Sequence, residues 1–124
     1  MKHTVLFLLA ALLLFSCSEP KSKQAELVLD TQSTLGEGSL WNYKTGELMW
    51  IDIKKEILNS YNPATGYNKE MFTGQMIGTV VPTESGNALV ALQNGIYHFN
   101  METGAKKLLV DPEADIPDNR FNDG

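Results

Sequence analysis

The chain has a single cysteine, Cys17, so no disulfide can form within it in any compartment. It is short of positive charge, with 10 Lys and Arg against 15 Asp and Glu and a formal net charge of −5. Nucleic acid is held through basic patches on its phosphates, and this balance excludes nucleic acid as a partner. No apolar run reaches the ~20 residues that a transmembrane helix needs. At 124 residues the chain is also far short of the ~250 that a barrel of eight strands and eight helices requires. Beyond residue 17, apolar side chains nowhere recur at i, i+3, i+4 and i+7 for long enough to build a helix, which leaves an all-β fold.

What is present begins with an export signal. Met1, Lys2 and His3 form a short polar start, and residues 5–15 are an unbroken apolar run of 11. That length suits the hydrophobic region of a secretory signal, about 7–15 residues. The run ends in Leu14-Phe15-Ser16-Cys17, which resembles the box of bacterial lipoproteins. The resemblance implies that Cys17 becomes the new N-terminus and carries a lipid; a plain secretory signal that contains a cysteine is the alternative. Residues 1–17 are thus read as a lipoprotein signal, 18–26 as a polar tether and 27–124 as the domain. The expected location is the cell envelope, with the protein lipid-anchored at the outer membrane or the periplasmic face. Ser18, standing where aspartate is absent, points to the outer membrane by the same resemblance.

The domain uses one turn signature three times: Asn42-Tyr43-Lys44-Thr45-Gly46, Asn62-Pro63-Ala64-Thr65-Gly66 and Asn100-Met101-Glu102-Thr103-Gly104, with a variant at Thr83-Glu84-Ser85-Gly86. The asparagine side chain can bond to the backbone ahead of it, Pro63 fits the fixed φ of the second position, and glycine supplies the φ > 0 residue that closes the loop. The closing glycines recur about every 20 residues, so two hairpins make a unit of roughly 40. Between them lie strand-like runs at 48–53, 57–61, 67–72, 76–81, 87–93, 96–100 and 105–110, and Asn94-Gly95 is a strong hairpin signal between two of these. Leu48 and Trp50 alternate with Met49, Ile51 and Ile53 without a polar face, which predicts a strand covered on both sides. Four short antiparallel strands per unit describe a β-propeller blade, and the chain holds about two. A small sandwich or barrel with evenly spaced turns would give the same local pattern.

Two places break this pattern. Leu35-Gly36-Glu37-Gly38-Ser39-Leu40-Trp41 reads as a Gly-rich turn ahead of the first strand; a carboxylate between two glycines can approach a hard cation or a polar ligand closely. Residues 111–124 read as a long acidic loop ending Asp118-Asn119-Arg120-Phe121-Asn122-Asp123-Gly124, and loops of this length often carry function. A solvated glutamate and ordinary turn chemistry are the plain alternatives. His3 falls in the signal and His98 in a strand as a half-exposed residue, and no Ser-His-Asp set can be drawn. Trp41 and Trp50 read as core residues.

In this order, Leu35-Gly36-Glu37-Gly38-x-x-Trp41, Trp50-x-Asp52 and the closing Asn119-Arg120-Phe121-Asn122-Asp123-Gly124 resemble the N-terminal part of the senescence-marker-protein, gluconolactonase and luciferin-regenerating-enzyme family. The resemblance implies a six-bladed propeller, one divalent cation, calcium or zinc, in its central channel, and hydrolysis of sugar lactones as a carboxylic ester hydrolase. It makes Glu37 a metal ligand and Arg120 and Asn122 substrate contacts, with Asn122 near the metal and Asp123 in a supporting role. Ser39 departs from the proline that the family often has beside the ligand. These residue types suit the chemistry: a metal polarises the lactone carbonyl and acidifies a bound water, Arg120 offers a planar pair of donors, and Asn122 both donates and accepts. A calcium site wants six or more oxygens, so further ligands and the catalytic base are expected beyond Gly124. The chain is then expected to be an N-terminal fragment, inactive by itself, of a monomeric enzyme that meets a small sugar lactone and touches the membrane only through its lipid. A non-catalytic, lipid-anchored propeller module for binding or assembly is the competing expectation.

Overall fold

The structure, a computed structural model, describes residues 23–124, so Cys17 and the signal segment lie outside the described residues. The chain divides into two units, Met1–Asp30 and Thr31–Gly124. In the first, residues 23–30 form neither helix nor strand.

The second unit carries eight strands: β1 (Gly36–Asn42), β2 (Glu47–Asp52), β3 (Ile57–Asn62), β4 (Tyr67–Phe72), β5 (Ile77–Pro82), β6 (Ala88–Leu92), β7 (Gly95–Phe99) and β8 (Lys106–Val110). They form two four-stranded antiparallel sheets in the orders β1-β2-β3-β4 and β5-β6-β7-β8. Each strand pairs only with its neighbour in sequence, which is the meander of a propeller blade, and there are two blades, as the repeat predicts. No helix occurs among the described residues.

The repeated turns close as their side chains require. In the first, Asn42 Oδ1 accepts from Lys44 N at 3.1 Å and Gly46 N donates to Asn42 O at 2.8 Å. Asn62 and Asn100 repeat this with Gly66 and Gly104, and all three glycines sit at φ between 69° and 74°. Where threonine replaces asparagine, Thr83 Oγ1 donates to Asn87 O at 3.0 Å, and Gly86 takes φ 82°. All four turns lie at one end of the sheets, while the β2–β3 and β6–β7 turns lie at the other.

The blades meet through β1 and β2 against β5. Met49, Ile51, Ile53, Leu58 and Met71 of the first blade and its turn form one buried cluster with Ile77, Val80, Val90, Leu92, Tyr97 and Phe99 of the second. Full burial of each large apolar side chain contributes about 1.5–3 kcal/mol, so this seam holds the pair together. The opposite face of the first blade differs from expectation. Trp41 pairs with Leu48, and both are more than a third exposed, while Trp50 is half-buried. Neither tryptophan belongs to the buried cluster, which takes the alternate residues Met49, Ile51 and Ile53 from this part of the blade. His98 is half-buried on β7, as expected.

Candidate functional site

Of residues 35–41, expected as a turn, all but the first lie in the strand Gly36–Asn42. β1 pairs Gly36 with Asp52 and Glu37 with Ile51, then slips, so that Leu40 faces Met49. Gly38 and Ser39 share the place opposite Trp50, and Gly38 stands at φ 61°, the left-handed conformation that glycine adopts at little cost in a bulge of this type. The bulge ends regular pairing next to Glu37, whose carboxylate is exposed and has no hydrogen bond or ion pair among the described residues.

Just before it the chain is pinned by Asp52. This carboxylate is 1% exposed and accepts from Thr34 N at 2.8 Å, Leu35 N at 3.1 Å and Lys55 N at 3.2 Å, with Lys55 Nζ 4.0 Å away. Burial alone pushes its pKa up. The three backbone donors and the ammonium outweigh that effect and hold it below its ordinary value of 3.8. Ile53 N donates to Leu35 O at 3.0 Å and closes the same knot. Asp52 therefore fixes the approach to Glu37 through main-chain atoms. The motif Trp50-x-Asp52 contained this residue, but its role depends on backbone groups that no pattern displays.

The second blade repeats the arrangement with another purpose. β5 also slips, between Ile77 and Thr79, and the extra residue is Gly78, one blade period after Gly38. A Cβ on Gly78 would come within 2.6 Å of Phe121 O and 3.0 Å of Asn122 O, so only glycine lets the closing segment lie on this strand. Gly124 also lies over β5, where a Cβ would meet Thr79 Cγ2 at an ordinary contact distance of 3.6 Å. Seated there, Arg120 Nη1 donates to Phe121 O at 2.9 Å and to Asn122 Oδ1 at 3.2 Å.

The structure thus joins Arg120 to Asn122 and seats their segment on β5, at the end of the sheets where Glu37 of β1 stands. It forms no bond between either of them and Glu37. Among the described residues, Asp123 accepts only from Gly124 N, at 2.9 Å. Sequence reading missed Gly78, although a glycine inside a strand-like run is a signal of close backbone approach.

The donor set decides what a cation would find here. Among the described residues no group of three or more His, Cys, Asp or Glu gathers to hold a metal ion. Glu37 is one carboxylate, and Arg120 brings positive charge; a hard cation that wants six or more oxygens is not held by these residues alone.

Residues 35–124 match the SMP-30/Gluconolactonase/LRE-like region. The chain is 30% identical over 103 residues to a regucalcin of Xenopus laevis, covering 83% of this chain and 34% of that protein. It is 28% identical over 102 residues to an L-arabinolactonase of Azospirillum brasilense, covering 82% and 34%. Among solved structures, a calcium-binding protein, regucalcin, from Agrobacterium tumefaciens superposes with a TM-score of 0.67 at 27% identity, over 72% of this chain and 30% of that one. The chain spans about a third of the length of the curated relatives it matches.

Proposed function

We propose that this chain, which belongs to the SMP-30/gluconolactonase/LRE-like family, supplies one part of a sugar-lactone hydrolase. In this reading Glu37 is one ligand of a divalent cation, calcium or zinc, and Arg120 and Asn122 contact the substrate. The observation that carries it is the hydrogen-bonded Arg120–Asn122 pair, seated on Gly78 of β5 at the end of the sheets where Glu37 of β1 stands. Relatives that are lactonases by name support the substrate class.

Hydrolysis joins a water oxygen to the lactone carbonyl carbon, breaks the ring C–O bond and returns a proton to the departing ring oxygen. A bound cation supplies electrophilic pull on the carbonyl and a more acidic water. Arg120 presents two parallel donors, which suit ring hydroxyls or the oxyanion that develops on the carbonyl oxygen. Asn122 is held by Arg120 with its amide nitrogen free to donate. Neither residue is a proton carrier at neutral pH, so the general base is another group.

A transplant tests the proposal. Residues 27–124 replace the matching third of the Azospirillum brasilense L-arabinolactonase, folding is checked by circular dichroism, and hydrolysis of the L-arabinose lactone is followed by proton release. A folded transplant should hydrolyse the lactone, and Glu37→Gln within it should not. Equal turnover with glutamine at 37 removes Glu37 from its role, and a folded transplant without turnover favours the binding module.

We also propose that Cys17 is lipidated and anchors the protein in the cell envelope. Labelling with a radioactive lipid precursor should mark the wild type and leave Cys17→Ser unmarked; equal labelling would refute the anchor.

A further inference from the structure

Behind the segment that presents Arg120 and Asn122 lies a cavity of about 500 Å³, over the end of the second blade. Asn119 and Phe121 turn into it, on the opposite side of the segment from the Arg120–Asn122 bond. Gln93 and Asn94 form its floor from the β6–β7 turn, and Asp111 and Glu113 its wall. The size falls within the range of small-molecule sites, about 300–1,000 Å³.

Part of this lining is already set in place. Tyr97 Oη donates to Asn94 Oδ1 at 2.8 Å, Gln75 Oε1 accepts from Asn94 N at 3.3 Å, and Asn119 Nδ2 donates to Glu113 Oε2 at 2.8 Å. What remains unused is a mixed set. Among the described residues the Gln93 amide and Asn94 Nδ2 have no partner, nor have the second carboxylate oxygens of Asp111 and Glu113. Phe121 and Pro117 add apolar surface. Amide donors, carboxylate acceptors and an apolar wall together match a hydroxyl-rich ring with C–H faces. The lining includes two carboxylates and no Lys, Arg or His, so an anion would enter against like charge and without a counter-ion.

We propose that this cavity is a second binding site, selective for neutral sugars over sugar acids and separate from the Arg120–Asn122 face. The proposal rests on the cavity and not on the lactonase reading. A ligand there would brace the segment from behind and hold Arg120 and Asn122 in place.

Titration of the purified protein with D-glucose and D-gluconate, followed by backbone amide shifts, tests it. D-Glucose should bind saturably with a dissociation constant of about 1 mM, ~10-fold or more tighter than D-gluconate. Gln93→Ala should weaken glucose at least fivefold, and the largest amide shifts should fall at Gln93 and Asn94. Asp111→Asn with Glu113→Gln should bring gluconate within about twofold of glucose. Absence of saturation by glucose, equal affinity for gluconate in the wild type, amide shifts centred away from Gln93 and Asn94, or continued rejection of gluconate by the double variant would each overturn the proposal.

Discussion

At one end of the two sheets the chain reverses four times through nearly the same turn, closed by Gly46, Gly66, Gly86 and Gly104. At the other end no two connections are alike, and Glu37, Asp52, Gly78, Arg120 and Asn122 are all found there. The turns at the repeated end are closed by bonds that span two to five residues, such as Asn62 Oδ1 to Ala64 N. The irregular end is built from bonds across the fold, such as Asp52 to Thr34, 18 residues away, and from the closing segment lying on β5. The difference shows a division of labour: local chemistry sets blade spacing, and long-range packing aims the candidate site residues.

Substitutions at the two ends should therefore fail differently. The largest effect expected is on activity: Glu37→Gln in the lactonase transplant should cut turnover about 100-fold or more, with the melting temperature unchanged because the side chain is exposed and unbonded. A fall in melting temperature would make Glu37 structural.

Asp52→Ala comes next, and should cost about 3 kcal/mol in chemical denaturation, since it strands buried backbone donors. It also carries a pH signature. The folded pKa of Asp52 is depressed, so its contribution is whole above the ordinary value of 3.8 and is lost as pH falls through the lower folded value. Wild-type stability should drop in that acid range more steeply than that of Asp52→Ala; parallel pH profiles would show that the carboxylate stabilises nothing.

Gly78→Ala should cost about 1–3 kcal/mol, from a Cβ that meets the Phe121 carbonyl. Its distinguishing mark is local: amide exchange should speed up in residues 119–124 and not in the repeated turns. At the opposite end, Gly66→Ala meets no atom within 4 Å and pays only for its φ of 73°, about 1 kcal/mol, with turnover intact. Lost turnover there would erase the contrast between the ends.

The smallest effect is expected for Lys44→Ala. Its 2.6 Å ion pair with Glu84 links the blades at the repeated end, yet both side chains are well exposed. Such pairs contribute about 0–1 kcal/mol, and 0.5 M salt should remove what is measured.

This contrast explains what was legible in the sequence. The Asn-x-x-Thr-Gly turns could be read because every partner lies within five residues, and they gave seven strands close to their observed bounds. β1 could not be read from periodicity, because Gly38 and Ser39 interrupt its alternation and make a strand look like a turn. Arg120 and Asn122 were found through resemblance alone; nothing in their own segment shows that Gly78 will receive it. The repeat offered one unused clue, since Gly38 and Gly78 recur at the blade period as surely as the turn glycines do. Trp41 was misplaced for a related reason: an aromatic residue on a strand shows its side only once the register with Leu48 is known.

The meander also has a consequence for how the chain acquires its structure during synthesis. No strand must wait for a distant partner, since β1 to β4 pair only in sequence order. The first sheet can assemble once Phe72 has left the ribosome, with the seam against β5 still unmade. Topologies of such local pairing fold quickly, and sequential emergence keeps unpaired edges brief. The segment that carries Arg120 and Asn122 can settle only on a β5 already in place, so its seating on Gly78 reports that this strand has formed.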